Sequence, residues 1–360
     1  MELRNSRRRR EKEREMATKT EDLEDLRPVT SLDARRAGSW NSTYDAVELG
    51  DIRYPFALDY FDQGCANTWF PKEIPLSEDV EQWNSALTEV EKHYVTWMLG
   101  FFCTSESLVA NNLVMALYPQ LPIPEARLYL GRQAYEEMNH TVTFDYVIKT
   151  LNLDREAIFK MHATHPEMKA KEQFETELTR ALIEGNFTDE DDRLRHLIRN
   201  LVGYYVIMEG IFFYTGFMVG LSFERRRLLK GLGTLIRYVL KDESIHLAFG
   251  VDLITAIIAE NPQVMTPEFR EEITGLIRRA VELETAYAEA AMPDGILGLN
   301  KNVYGQYCRY IADRRLQKIG FDKIYGDKNP AKWLITQNDM PELINFFESK
   351  PIDYEASVRG

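Results

Sequence analysis

Apolar residues recur at intervals of three and four through much of the chain, the spacing of one buried face of an α-helix. The pattern is most sustained between Pro166 and Pro262, where 95 residues pass without a proline. Proline inside a helix removes a hydrogen bond and clashes with the preceding turn, so this window reads as long helices. The periodicity predicts helices near 87–118, 124–151, 190–222, 227–260, 267–292 and 299–319. Asn-Gly hairpin signals are nearly absent, which argues against a large sheet. The expected fold is all-α, a helical bundle.

Local chemistry supports these ends. Thr88 and Glu91 form a T-x-x-E capping box at the first long helix. Pro124 stands well as the first residue of the second, and Pro119, Pro122 and Pro124 break the chain between them. Thr188 followed by Asp189 and Glu190 places a cap and negative charge at another start. Residues 1–50 read as an extended arm, 51–345 as the helical domain and 346–360 as a tail.

Residues 200–223 are long and apolar enough to span a bilayer. They contain Glu209 near the middle, however, and a central carboxylate is costly in lipid. A buried helix of a large bundle is the better reading, with no membrane partner.

Composition narrows the class. The 360 residues carry a formal net charge of −13 and are 44% hydrophobic and 28% charged. That is ample material for a core. The acidic balance disfavours nucleic acid as the main partner. Residues 1–16 hold seven Arg or Lys against four Glu, a solvated leader in which Met16 is a second candidate start. No apolar stretch follows, so it is not a secretory signal. Cys65, Cys103 and Cys308 lie far apart, which argues against a disulfide scaffold and fits the cytoplasm.

Two carboxylates stand where none is expected. Glu209 is the only charge among the 24 residues 200–223, and Glu106 the only one among the 31 residues from Tyr94 to Pro124. Buried carboxylates are costly unless paired, protonated or bound to metal. Two E-x-x-H pairs accompany them: Glu137/His140 and Glu243/His246. A spacing of three puts both side chains on one helical face.

Each pair follows a helix with a lone Glu. Glu106 lies 13 residues before Pro119 and Glu137 13 residues after Pro124. If the proline turn reverses the chain, both sit about 20 Å from it, at one level. A turn near 222–230 does the same for Glu209 and Glu243. Four Glu and two His on four helices are the ligand set of a carboxylate-bridged dimetal site in a ferritin-like bundle. Hard oxygens with one imidazole per metal suit iron or manganese. His162 and His165, before Pro166, read as a helix end or surface feature. His93 and His196 need no function.

At these residues the chain resembles the small, radical-generating subunit of class I ribonucleotide reductase, over roughly residues 40–355. The resemblance rests on NTWFPKEI (67–74), EEMNHTVTF (136–144), YYVIMEGIFFYTGF (204–217), RYVLKDESIHLAFG (237–250) and ADRRLQKIGF (312–321). It implies that Glu106, Glu137 and His140 hold one metal and Glu209, Glu243 and His246 the other, with Glu137 and Glu243 bridging. It also implies a homodimer and a large catalytic subunit as partner.

Two positions depart from the common pattern. The storage tyrosine of most members is here Phe144, and the usual first-ligand Asp is Glu106. Both departures resemble the class Ic subgroup, which implies a manganese–iron pair, with di-iron or dimanganese as alternatives. Trp69 would carry electrons toward the metals, Asp242 would link it to His140, Tyr238 would serve activation, and Tyr354 would relay between subunits. The competing resemblance is to a ligand-binding manganese–iron oxidase, whose cross-linked Val and Tyr correspond to Val109 and Tyr204.

Overall fold

A computed structural model of the protein describes residues 49–334, positions 51 and 297 excepted. Most of the expected arm and the whole tail, Tyr354 included, lie outside the described residues. Among those described there is no strand, only an isolated bridge between Ile296 and Leu299. The longer helices are α1 (Pro55–Ala66), α2 (Ser77–Ser85), α3 (Glu89–Asn112), α4 (Pro124–Thr150), α5 (Pro166–Glu184), α6 (Glu190–Arg225), α7 (Lys230–Glu260), α8 (Pro267–Ala291) and α9 (Lys301–Lys318).

The six expected helices are present, with ends within a few residues. The capping box forms: Thr88 Oγ1 accepts the Glu91 N–H at 3.3 Å, and Glu91 Oε2 accepts the Thr88 N–H at 2.9 Å. The start of α6 is capped by Asp189, which accepts the Asp192 N–H at 2.8 Å. Thr188 instead donates its own N–H to the Asp192 carboxylate at 3.0 Å.

Three of these longer helices were not anticipated. α1 and α2 are short. α5 is rich in charge, and of its 19 residues only Met168, Lys171, Glu175 and Leu182 are buried. Pro166, expected to follow a helix end, also opens α5 as its first residue. His162 pairs with Glu172 at 2.7 Å, a surface role as anticipated.

The apolar α6 passes through the middle of the core and its candidate span is wholly buried. It is not regular: Val202–Phe213 is wound as a π-helix, and a shorter π turn, Leu113–Leu117, follows α3. Such widened turns are rare and are frequently found at functional sites. α3 packs on α4 and α6 on α7, which brings the four glutamates to one level.

The α6–α7 reversal is held from outside. Arg227 and Leu229 adopt positive φ, and Asp79 on α2 accepts the N–H groups of Gly231 and Leu232 at 2.9 and 2.7 Å. These are free donors at the start of α7. A buried polar cluster joins α5 to α8. Lys171 is 2.5 Å from Glu284, and its ammonium lies over Phe101, Phe212 and Tyr287 at 3.5, 4.2 and 4.4 Å.

Replacing Asp79 with alanine removes the carboxylate that caps α7. The unfolding free energy should fall by about 1–2 kcal/mol in a denaturant titration, the cost of losing a helix cap. Asp79→Asn, which keeps an acceptor oxygen, should lose less.

Candidate metal centre

The E-x-x-H pairs of α4 and α7 face each other across the core, and α3 and α6 add one glutamate each. Ligand atoms of Glu106, Glu137, His140 and Glu243 lie within 4.8 Å of one another, and so do those of Glu137, Glu209, Glu243 and His246. Glu137 and Glu243 belong to both groups. All six side chains are fully buried.

Each imidazole points one nitrogen inward and the other outward. His140 Nδ1 is 3.3 Å from Glu106 Oε2 and 3.1 Å from Glu243 Oε1, while its Nε2 lies 3.3 Å from Asp242 Oδ2. His246 Nδ1 is 2.9 Å from Glu137 Oε1, and its Nε2 is 2.9 Å from Glu136 Oε2. With a cation at the inward Nδ1, the hydrogen of each ring sits on Nε2 and is donated to the carboxylate outside. This carboxylate–histidine backing fixes ring orientation at metal sites.

The electrostatics call for cations. Burial drives the Glu106 and Glu209 carboxyls well above their ordinary range, and for Glu209 the nearby Glu243 and Glu137 add to it. Burial also opposes charge on His140, but Glu106 and Asp242 outweigh it and raise the imidazole well above its usual value. Glu106 Oε1 and Glu209 Oε2 are buried without a hydrogen-bond partner. Two divalent ions carry four positive charges, which would let all four carboxyls ionise. The donor set of oxygens plus imidazole fits manganese or iron.

Trp69 and Asp242 meet as anticipated. Trp69 Nε1–H donates to Asp242 Oδ2 at 2.7 Å, the oxygen that also faces His140. The Trp69 ring is stacked on His140 at 6.1 Å and on Tyr238 at 5.2 Å. Asn139 Nδ2–H donates to the Trp69 carbonyl at 3.3 Å and fixes that loop. Phe144 is fully buried and stacked on Phe102 at 4.7 Å, which stacks on Phe217 at 5.2 Å. Tyr204 bonds its hydroxyl to Thr179 Oγ1 at 2.5 Å.

Sequence reasoning missed two groups that bond to the ligands, Glu136 and Gln133. Glu136 backs His246 and is itself held by Arg132 at 2.9 Å. Gln133 donates its amide to Glu209 Oε1 at 2.9 Å and accepts the Tyr205 hydroxyl at 2.7 Å. The available signal was position. Gln133 stands four residues before Glu137, on the same helical face, and Glu136 is the neighbouring acid in EEMNH.

Fold and site together define a helical-bundle protein with a carboxylate–imidazole centre for two metal ions. The family model described as "Ribonucleotide reductase, small chain" matches residues 46–330, and the chain belongs to that family. It is 45% identical over 315 residues to the ribonucleoside-diphosphate reductase subunit beta of Chlamydia pneumoniae, covering 87% of this chain and 91% of that one. The small subunit from Dictyostelium discoideum is 28% identical, with 86% of each chain covered. Among solved structures, a ribonucleotide reductase R2 subunit from Clostridium botulinum superposes with a TM-score of 0.74 at 25% identity, covering 81% of this chain and 91% of that one. The function is that of a ribonucleoside-diphosphate reductase small subunit, an oxidoreductase component that works with a large subunit. The ligand-binding oxidase reading is not favoured.

Removing divalent metal should therefore uncover the repulsion among the four glutamates. Chelation is expected to lower the melting temperature, and Mn(II) or Fe(II) should restore it. A ligand at 1,000 times its Kd adds about 4 kcal/mol. Differential scanning calorimetry with and without chelator measures the shift.

Proposed function

We propose that this small subunit is of the class Ic kind, with a manganese–iron pair in place of a tyrosyl radical. In this reading Glu106, Glu137 and His140 hold one ion, Glu209, Glu243 and His246 hold the other, and Glu137 and Glu243 bridge. The observation that carries it is Phe144, sealed in a stack of three phenylalanine rings. It has no hydroxyl to lose a proton, so it cannot store a phenoxyl radical. The bound metal pair supplies a one-electron oxidant.

The side chains around the pair do the rest. Asp242 takes N–H bonds from both Trp69 and His140, which fixes the two rings and gives the indole proton an acceptor. Trp69, Asp242 and His140 then form the route to the metals, and Tyr238, half-buried against Trp69, extends it toward the surface. Tyr354 continues the route to the large subunit. The chain works as a homodimer in the cytoplasm. Its helical domain, 51–345, lies between the 1–50 arm and the tail that bears Tyr354.

Loading with Fe(II) alone, Mn(II) alone and both, followed by assay with the large subunit, tests the metals. Full turnover is expected only with both, and full turnover with iron alone would overturn the class Ic reading. A stable tyrosyl doublet in electron paramagnetic resonance that tracks activity would do the same.

Single-atom changes separate making the oxidant from using it. Tyr354→Phe should leave metal content and subunit binding unchanged and drop ribonucleotide reduction to background. Tyr238→Phe should slow activation and spare turnover afterwards. Normal turnover by Tyr354→Phe would remove the tail from the route.

A further inference from the structure

Glu209 is the one proposed ligand carried by π-helical backbone, the twelve residues Val202–Phe213. A π turn accommodates more residues than an α turn, and one residue of an α-helix is about 100° of rotation. Whether this stretch is wound as π or α therefore decides where Glu209 points. Hydrophobic packing alone does not choose between them, because all twelve residues are buried.

Side chains clasp the stretch at both ends. At its beginning, Asn200 and Asn112 exchange amide hydrogen bonds at 2.9 and 3.1 Å, where the π turn after α3 also begins. Thr179 joins them, donating to Asn112 Oδ1 at 3.0 Å and meeting the Tyr204 hydroxyl. Toward its end, Arg315 of α9 donates its Nε–H to the carbonyl of Gly210 at 2.9 Å. Gly210 is the residue immediately after Glu209.

Arg315 is a costly residue to place there. It is 4% exposed, forms no ion pair among the described residues, and lies over the Tyr214 ring at 4.4 Å. A buried guanidinium without a carboxylate is expensive unless its hydrogen bonds are put to use. Gly210 is matched to it. A Cβ at that position would fall 3.0 Å from the Tyr205 carbonyl, 3.2 Å from Arg315 Nε and 3.2 Å from Leu247. An added Cβ would force Arg315 Nε and Leu247 to give by a few tenths of an ångström.

We infer that Arg315 is a positioning residue for the metal centre: by holding the Gly210 carbonyl it keeps Val202–Phe213 in its π winding and so sets the direction of Glu209. This rests on reading Glu209 as a ligand of one ion and not the other. Arg315 touches neither ion nor substrate. Its effect should therefore fall on one of the two metal positions, which a general weakening of the fold would not do.

Equilibrium titration of the full-length, metal-free chain with Mn(II) alone, counting ions bound, reads this directly. Arg315→Met should weaken one ion by roughly 10- to 100-fold, the usual cost of losing a supporting partner, and leave the other unchanged. Arg315→Lys, which keeps a buried donor, should recover part of the loss. Gly210→Ala leaves Arg315 in place and pushes it from the carbonyl, and should show the same one-ion defect. It decides the matter if Arg315→Met does not fold. Unchanged binding of both ions, or equal loss of both, would overturn the inference. Glu209→Ala is the separate control. If it still binds both ions normally, the ligand reading fails rather than the role of Arg315.

Discussion

Glu106, Glu137, Glu209 and Glu243 are shielded from bulk solvent at the centre of the bundle, and their mutual repulsion is what the surrounding helices must contain. Removing a carboxylate from water costs several kcal/mol even after relaxation. Four together are tolerable only if some are protonated or cations balance them. Two imidazoles contribute, but each is also turned outward to Asp242 or Glu136. The remaining deficit is what two divalent ions supply. The fold therefore spends part of its packing energy to hold a site that favours metal.

The two halves of the centre are alike in ligand type and unlike in what stands behind them. His140 is backed by Asp242, which is bonded to Trp69, and Trp69 is stacked on Tyr238. His246 is backed by Glu136, which ends in an ion pair with Arg132. One side continues into oxidisable rings and the other closes in a charge pair. On the side of Phe144 three phenylalanine rings stack without a polar atom. The backing groups thus give direction to a ligand set that is nearly symmetric by itself.

Beyond the centre, polar groups in the core join helices that hydrophobic contact leaves free to slide. Glu284 receives Lys171 from α5, the Thr215 hydroxyl from α6 and the Tyr304 hydroxyl from α9. Asp79 ties α2 to the start of α7. Such interactions are directional, so they set the axial level of one helix against the next. The metal centre needs that level fixed, because its ligands come from four helices.

Much of this was legible in the chain. Helix spacing, proline positions and the capping box located six helices, because these are local properties of the backbone. A lone Glu in an apolar run and two E-x-x-H pairs marked the ligand set, because burial of charge is visible as contrast with its neighbours. α5 was not legible, since it buries few apolar residues and its charges obscure the period. Position beside the ligands marked Glu136 and Gln133, but neither their roles nor that of Arg315 was legible, because their partners lie on other helices and nothing in local spacing names a partner. The π winding of Val202–Phe213 belongs with them: an apolar run on all faces carries no phase. Sequence alone determined which side chains could not face water. Tertiary structure decided which way each one points, because direction depends on helix register, and register is set by contacts between distant residues.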